Sequence, residues 1–330
     1  MIASLNAQID PDDTQGAAVS RATRVLITGA AGLVGQNLIA ALVHLPNLTI
    51  IGIDKHTQNL AILRAAHPEL LLIEADLSQH GAWEDEVARA DCIIMLHAQI
   101  GGLNPQEFED NNIVATKLVM DRAITGACSY VVHVSSSVVN SAAKDFYTES
   151  KKAQEALVET YDIAKVILRP TLMFGWFDRK HIGWLRRFLH KTPIFPIPGS
   201  GQYLRQPLYA GDFSAIIVAC LKDQITGSYN ISGLTRINYI DMIKTLKRVT
   251  NAKASVVPIP YSLFHALLSL YAVFDKNPPF TTAQLKALTT PDVFEVIDWP
   301  NLFGVTPTPL EQAFEQTFLH PVYGQVVLEY

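Results

Sequence analysis

The chain has 330 residues, 49% of them apolar and 17% charged, a composition that suits globular structure with room for two hydrophobic cores. A net charge of −5 supplies no positive field for nucleic acid. The three cysteines, Cys92, Cys128 and Cys220, show no metal or disulfide spacing; Cys92 and Cys220 sit in apolar runs and read as buried thiols, the usage of a cytoplasmic protein.

Residues 1–20 are polar and lack an apolar core, so they read as a frayed leader rather than a signal peptide. Val25 to Ile27 is the first apolar run, a buried strand, followed by Gly29, Gly32 and Gly35 at three-residue spacing. Leu33, Val34, Leu38, Ile39, Leu42 and Val43 then recur at helical intervals, so a helix opens at the glycines. Gly29 allows a sharp turn, Gly32 removes a Cβ so that a pyrophosphate can approach, and Gly35 lets helix and strand pack closely. The segment holding Gly29, Ala31, Gly32, Leu33, Val34 and Gly35 is therefore a candidate cofactor cradle, with free N–H groups at the helix start.

Leu48 to Asp54 is the second strand, and its carboxylate falls 19 residues after Gly35. A carboxylate there accepts hydrogen bonds from an adenosine ribose and repels a 2′-phosphate, which points to NAD rather than NADP. Lys55 and His56 follow directly and keep a phosphate alternative open. Further strands are predicted at Leu71–Asp76, Cys92–His97, Tyr130–Ser135 and Ala164–Arg169, with helices near 57–66, 82–90, 105–126 and 147–163. This alternation specifies an α/β fold, a Rossmann-type doubly wound parallel sheet with its ligand at the carboxyl ends of the strands.

After Pro170 the rhythm breaks. Residues 176–205 carry Trp176, Trp184, three prolines and the cations Arg179, Lys180, His181, Arg186, Arg187, Lys191 and Arg205. The predicted organisation is an NAD-binding domain at 21–175, rejoined by about 206–232, and a smaller C-terminal α/β substrate domain from 176–205 and 233–330. No stretch is long and apolar enough to span a membrane. The nearest, Tyr261 to Phe274, reads as a buried helix in preference to a membrane-surface or lipid-facing patch.

Tyr147 and Lys151 lie at i and i+4 of a predicted helix and so share a face. A phenol is a poor base at neutral pH, and a neighbouring ammonium lowers its pKa, so Tyr147 is a candidate acid/base with Lys151 as its activator. Ser135, Ser136 and Ser137 end the fifth strand at the ligand edge, where a hydroxyl can hold the substrate oxygen. His133, inside that strand, reads as a satisfied core histidine. Trp176 and Trp184 suit packing at least as well as stacking on a base.

These pieces, in this order, resemble the extended short-chain dehydrogenase/reductases, the group that includes nucleotide-sugar epimerases and dehydratases. The likeness runs from residue 24 to about 235 and is fainter beyond. It implies that Asp76 and Leu77 lie against the adenine, and that His97, Ala98, Gln99, Asn112, Pro170 and Thr171 line the NAD site with Tyr147 and Lys151. It also implies catalysis by Ser136, Tyr147 and Lys151, with Ser137 at the substrate. Gly199 to Asp212 resembles the segment whose arginine, here Arg205, holds a nucleotide diphosphate. A homodimer built on the 105–126 and 147–163 helices is implied as well.

Some positions depart from the family pattern. Only 11 residues separate Ser136 from Tyr147, Val139-Asn140 replaces Val-Tyr-Gly, and the sixth strand ends in Arg-Pro-Thr. The acid pair of dehydratases is replaced by Ser137 and Val138, which disfavours dehydration. Phe303 to Leu310 resembles atypical members, including the complex I accessory subunit. Three readings remain open: a nucleotide-sugar epimerase, a net oxidoreductase acting on a more apolar hydroxyl or ketone, and a nucleotide-binding subunit without turnover.

Overall fold

A computed structural model describes residues 21–142, 144–178, 181–274, 285, 289, 294–326 and 328. The leader at 1–20, Arg179 and Lys180 of the cationic cluster, and the end of the chain lie outside the described residues.

Strands β1 (Thr23–Thr28), β2 (Leu48–Asp54), β3 (Leu71–Glu74), β4 (Cys92–Met95), β5 (Tyr130–Val134) and β6 (Ala164–Pro170) appear where the apolar runs place them. Five of them, all but β2, end one or two residues from their predicted limits. With Gly227–Ile231 they form a seven-stranded sheet, ordered β3-β2-β1-β4-β5-β6 and then Gly227–Ile231. Every pairing in it is parallel. The order reverses between β1 and β4, and a doubly wound fold opens its ligand crevice at such a switch point.

Both faces of the sheet are covered, which is why the central strands are apolar without alternation. Val25, Ile27, Ile94, Val132 and Leu168 pack beneath α1 (Leu33–Leu42) and the later helix Ala210–Asp223. Leu26, Ile51, Ile93 and Val131 pack on the other face against the helices Trp83–Arg89 and Ala115–Thr125. A one-residue slip in register would exchange these sets. The helix predicted at 105–126 is present, but its middle, Glu109–Val114, is wound as a π-helix.

A second core gathers Phe174, Leu189, Phe195, Ile197, Ile243, Leu246, Phe314 and Phe318. It draws on the helices Ile182–Lys191, Tyr239–Val249 and Leu310–Leu319 and on a parallel ribbon of Ile194–Pro198 with Ser255–Ile259. The helix Tyr261–Phe274 follows Pro260 at the end of that ribbon, and it corrects the sequence reading. Phe264 and Leu268 are partly buried, but Leu263, Leu267 and Leu270 are 50%, 52% and 58% exposed. Among the described residues no helix is long and apolar enough to cross a membrane.

The helix Phe146–Glu159 is tied to the sheet by a largely buried ion pair. Both the Nε and an amino nitrogen of Arg169 donate to Glu155, which also accepts from the Ser135 hydroxyl at 2.5 Å. Glu155→Ala is expected to lower stability by about 3 kcal/mol, because it strands the guanidinium and the hydroxyl together. Urea denaturation measures this, and an unchanged midpoint would show that the pair contributes nothing.

Candidate functional site

The β1–α1 turn sits at the switch point. Gly29 has φ +67°, and a Cβ on it would lie 2.8 Å from the His97 nitrogen at the tip of β4. A Cβ on Gly35 would run into the carbonyls of Ala30 and Gly29. These two glycines are therefore demanded by the fold itself. Gly32 differs: its φ is −75°, and an added Cβ would meet only the Gly29 carbonyl, at 3.3 Å. A bare Cα at Gly32 leaves room for a group arriving from outside, at the head of a helix without a side-chain cap.

Asp54, at the end of β2, does more than the sequence suggested. One carboxylate oxygen accepts from the Ala31 N–H at 2.9 Å and the other from the His56 N–H at 2.9 Å. It thus fastens the glycine turn to β2 and retains lone pairs for a further donor. Asp76 accepts from both the backbone and the hydroxyl of Ser78. Burial pushes its carboxyl up, but the Ser78 bonds outweigh burial and leave it below its ordinary value. Leu77 is buried in the core under β3.

The loop after β4 forms the facing wall. Asn112, fully buried in the π-helical turn, accepts from the Gln99 N–H at 2.6 Å and donates to Ser150 on the Phe146–Glu159 helix at 2.8 Å. His97 bridges Thr28 at 2.7 Å and Thr116 at 3.0 Å, one through each ring nitrogen. Burial pushes the His97 imidazole down to about 3, with Lys151 acting in the same direction, so the ring stays neutral. The side chains of His97 and Asn112 are thus occupied within the fold, and they place the 97–99 backbone, Ala98 included, along the crevice.

The Phe146–Glu159 helix starts at Asp145, whose carboxylate accepts from the Thr148 N–H at 3.0 Å. Tyr147, Lys151 and Glu155 follow at i, i+4 and i+8 and stack along one face. Despite its shortness, the connection from β5 brings the Ser136 hydroxyl near enough to the Tyr147 phenol to favour its ionisation. Ser136 also caps the 3-10 turn Ser137–Asn140.

The electrostatics overturn one expectation. Burial pushes the Tyr147 phenol up, the Ser136 hydroxyl only partly offsets this, and Asp145 adds to the rise. Lys151 is 1% exposed, and its Nζ donates to the Val134 carbonyl at 3.1 Å and to Gln154 at 2.5 Å rather than to the phenol. Burial brings its ammonium down to about 7, against the opposing pull of Glu155. Gln154 continues to Thr116 at 2.8 Å, which closes a buried polar chain from Lys151 to the switch point. Gln154, Thr116 and Thr28 escaped the sequence reading; the available signal was an amide three residues from Lys151 on the buried face of its helix. His133 is another correction: it is fully buried, but neither ring nitrogen has a partner.

Pro170 ends β6, and the buried Thr171 hydroxyl beside it has no hydrogen-bond partner. Arg205 lies in the second lobe, 5.2 Å over the Tyr203 ring. Arg186 stacks on Phe318 at 5.8 Å and, with Arg187, lines a small cavity under the C-terminal helix, apart from Arg205. Trp176 donates to the Gln316 carbonyl and packs on His320 and Tyr323, while Trp184 stacks on Phe188. Both tryptophans are packing residues here. Among the described residues no cluster suits a metal ion.

A sequence profile described as the NAD dependent epimerase/dehydratase family matches residues 25–232, more than half of the chain. The chain belongs to that family. Among its relatives is the low-salt glycan biosynthesis protein Agl12 of Haloferax volcanii, 26% identical over 70% of this chain and 84% of its own. Another is the NADH dehydrogenase [ubiquinone] 1 alpha subcomplex subunit 9 of Rattus norvegicus, 25% identical over 86% of this chain and 77% of its own. The crystal structure of the UDP-glucuronic acid 4-epimerase from Bacillus cereus in complex with NAD shares the fold. Its TM-score is 0.69 at 20% identity, over 89% of this chain and 95% of that one.

The family is NAD-dependent and enzymatic, and this chain's residues fit NAD. The open space over Gly32, the uncapped helix start, the Asp54 carboxylate and the unpartnered Thr171 hydroxyl are the features such a cofactor requires.

Proposed function

We propose that this member of the family is a nucleotide-sugar epimerase working through Ser136, Tyr147 and Lys151. The observation that carries the reading is the approach of Ser136 to Tyr147 at the carboxyl edge of the sheet, with Lys151 buried one helical turn behind. NAD would be held by the glycine cradle, Asp54, the 97–99 backbone, Thr171 and Lys151, and it supplies reversible hydride acceptance. Ser136 orients the substrate hydroxyl, and Tyr147 removes its proton and later returns it. Burial makes the phenol a reluctant base, so the ammonium form of Lys151 is needed to favour its ionisation. Arg205, with its planar fork, is assigned to the diphosphate, and Ser137 to the sugar.

The test is incubation with NAD and a panel of UDP-, GDP- and dTDP-sugars, followed by analysis of sugar configuration and NADH. A new epimer without net NADH supports the reading. Accumulating NADH would mark a net oxidoreductase, and neither outcome in a chain that binds NAD would mark a non-catalytic subunit.

Asp54 also sets the expected cofactor preference. The unmodified protein should bind NAD more tightly than NADP, and Asp54→Ala should narrow the gap while weakening both, since Ala31 loses its acceptor. Titration with both nucleotides decides, and equal or tighter NADP binding by the parent protein would overturn the assignment.

A further inference from the structure

The helix Tyr261–Phe274 and the ribbon before it form a surface that the nucleotide site does not use. Pairing of Ser255 with Ile194, Val257 with Pro196 and Ile259 with Pro198 places these residues on one side of the ribbon. Phe195 and Ile197 turn the other way into the second core. Ile194 is 54% exposed and Val257 37%. The helix continues the apolar surface through Leu263, Leu267 and Leu270, whose i, i+4, i+7 spacing makes one outward stripe. It contains no charged residue.

The two stretches of chain that build this surface are basic in sequence. Neither 179–211 nor 242–274 contains an acidic residue, and together they hold ten of the 26 lysines and arginines of a chain whose net charge is −5. The two stretches meet in the ribbon, where Lys191 and Lys253 stand exposed just ahead of its paired strands. We propose that this face docks on an anionic lipid bilayer, with the leucine stripe entering the headgroup–acyl boundary and the lysines meeting lipid phosphates. At roughly 21 Å the helix is too short to span the hydrocarbon core, and its charge-free apolar surface suits the interface. A second copy of the chain is a poorer occupant, because it would bring the same basic frame against itself. Anionic headgroups instead attract such a frame.

Co-sedimentation of the full chain with phosphatidylcholine vesicles, with and without phosphatidylglycerol, tests this. The parent protein should bind the phosphatidylglycerol vesicles and release at high salt. Combined Leu263→Gln, Leu267→Gln and Leu270→Gln should weaken binding by about tenfold or more, with NAD affinity kept as a check on folding. Lys191→Glu with Lys253→Glu should weaken it by about tenfold on anionic vesicles alone. Leu267→Trp gives a reading free of the triple substitution: its emission should shift to the blue on anionic vesicles. No binding by the parent, binding indifferent to the leucines, or an unshifted tryptophan would each overturn the proposal. So would self-association that the leucine substitutions abolish.

Discussion

Replacing Tyr147 by phenylalanine is expected to cut turnover by about 10²–10⁴-fold while leaving NAD affinity and stability close to those of the parent. Only one oxygen is lost, and the half-buried ring keeps its place on the Phe146–Glu159 helix. The neighbouring Ser136 hydroxyl keeps the Val138 N–H when the phenol is gone. Little structural cost therefore stands behind the substitution, so a large kinetic loss would report chemistry. Ser136→Ala should reduce turnover too, and it should additionally loosen the Ser137–Asn140 turn that its side chain caps. Single-turnover measurement of the Tyr147 variant with the proposed nucleotide-sugar substrate is the decisive experiment. Undiminished turnover would remove Tyr147 from the site.

Much of this arrangement could be seen in the sequence, because the signals were local. The strand tips, the glycine spacing and the i, i+4 relation of Tyr147 to Lys151 follow from backbone periodicity alone. What stayed hidden depends on distant contacts. Gly227–Ile231 is a polar edge strand in which only Ile231 is buried, so no apolar run announces it. The π-helical turn that carries Asn112 inward differs from an α-helix in its hydrogen bonding, and side-chain spacing over six residues does not reveal that. The exposed leucines of Tyr261–Phe274 obey the same periodicity as buried ones, and only the packing of the ribbon decides which face is covered. The state of Lys151 is the clearest case. Spacing places it beside the phenol, but the Val134 carbonyl comes from β5 and the desolvation from the whole sheet.

That desolvation makes Lys151→Met a test of two linked claims. Turnover should fall by about 10²-fold or more if, as proposed, the ammonium is what favours ionisation of the phenol in the working site. Stability should move the other way in a defined pH window. Lys151 titrates near 7 in the folded protein and near its ordinary 10.5 in the unfolded chain. Between these values the unfolded chain holds the extra proton, so this residue makes stability rise with pH across the window. Below pH 7 both states are protonated, and the full cost of burying the charge is felt. Methionine removes that cost, on the order of 5 kcal/mol, but forfeits two hydrogen bonds worth about 1 kcal/mol each. The variant should therefore be more stable than the parent at pH 6, with an advantage that shrinks and reverses by about pH 10. Paired urea titrations at pH 6 and pH 10 separate this from groups common to both proteins, and a stability difference independent of pH would mean that Lys151 keeps an ordinary ammonium inside the fold.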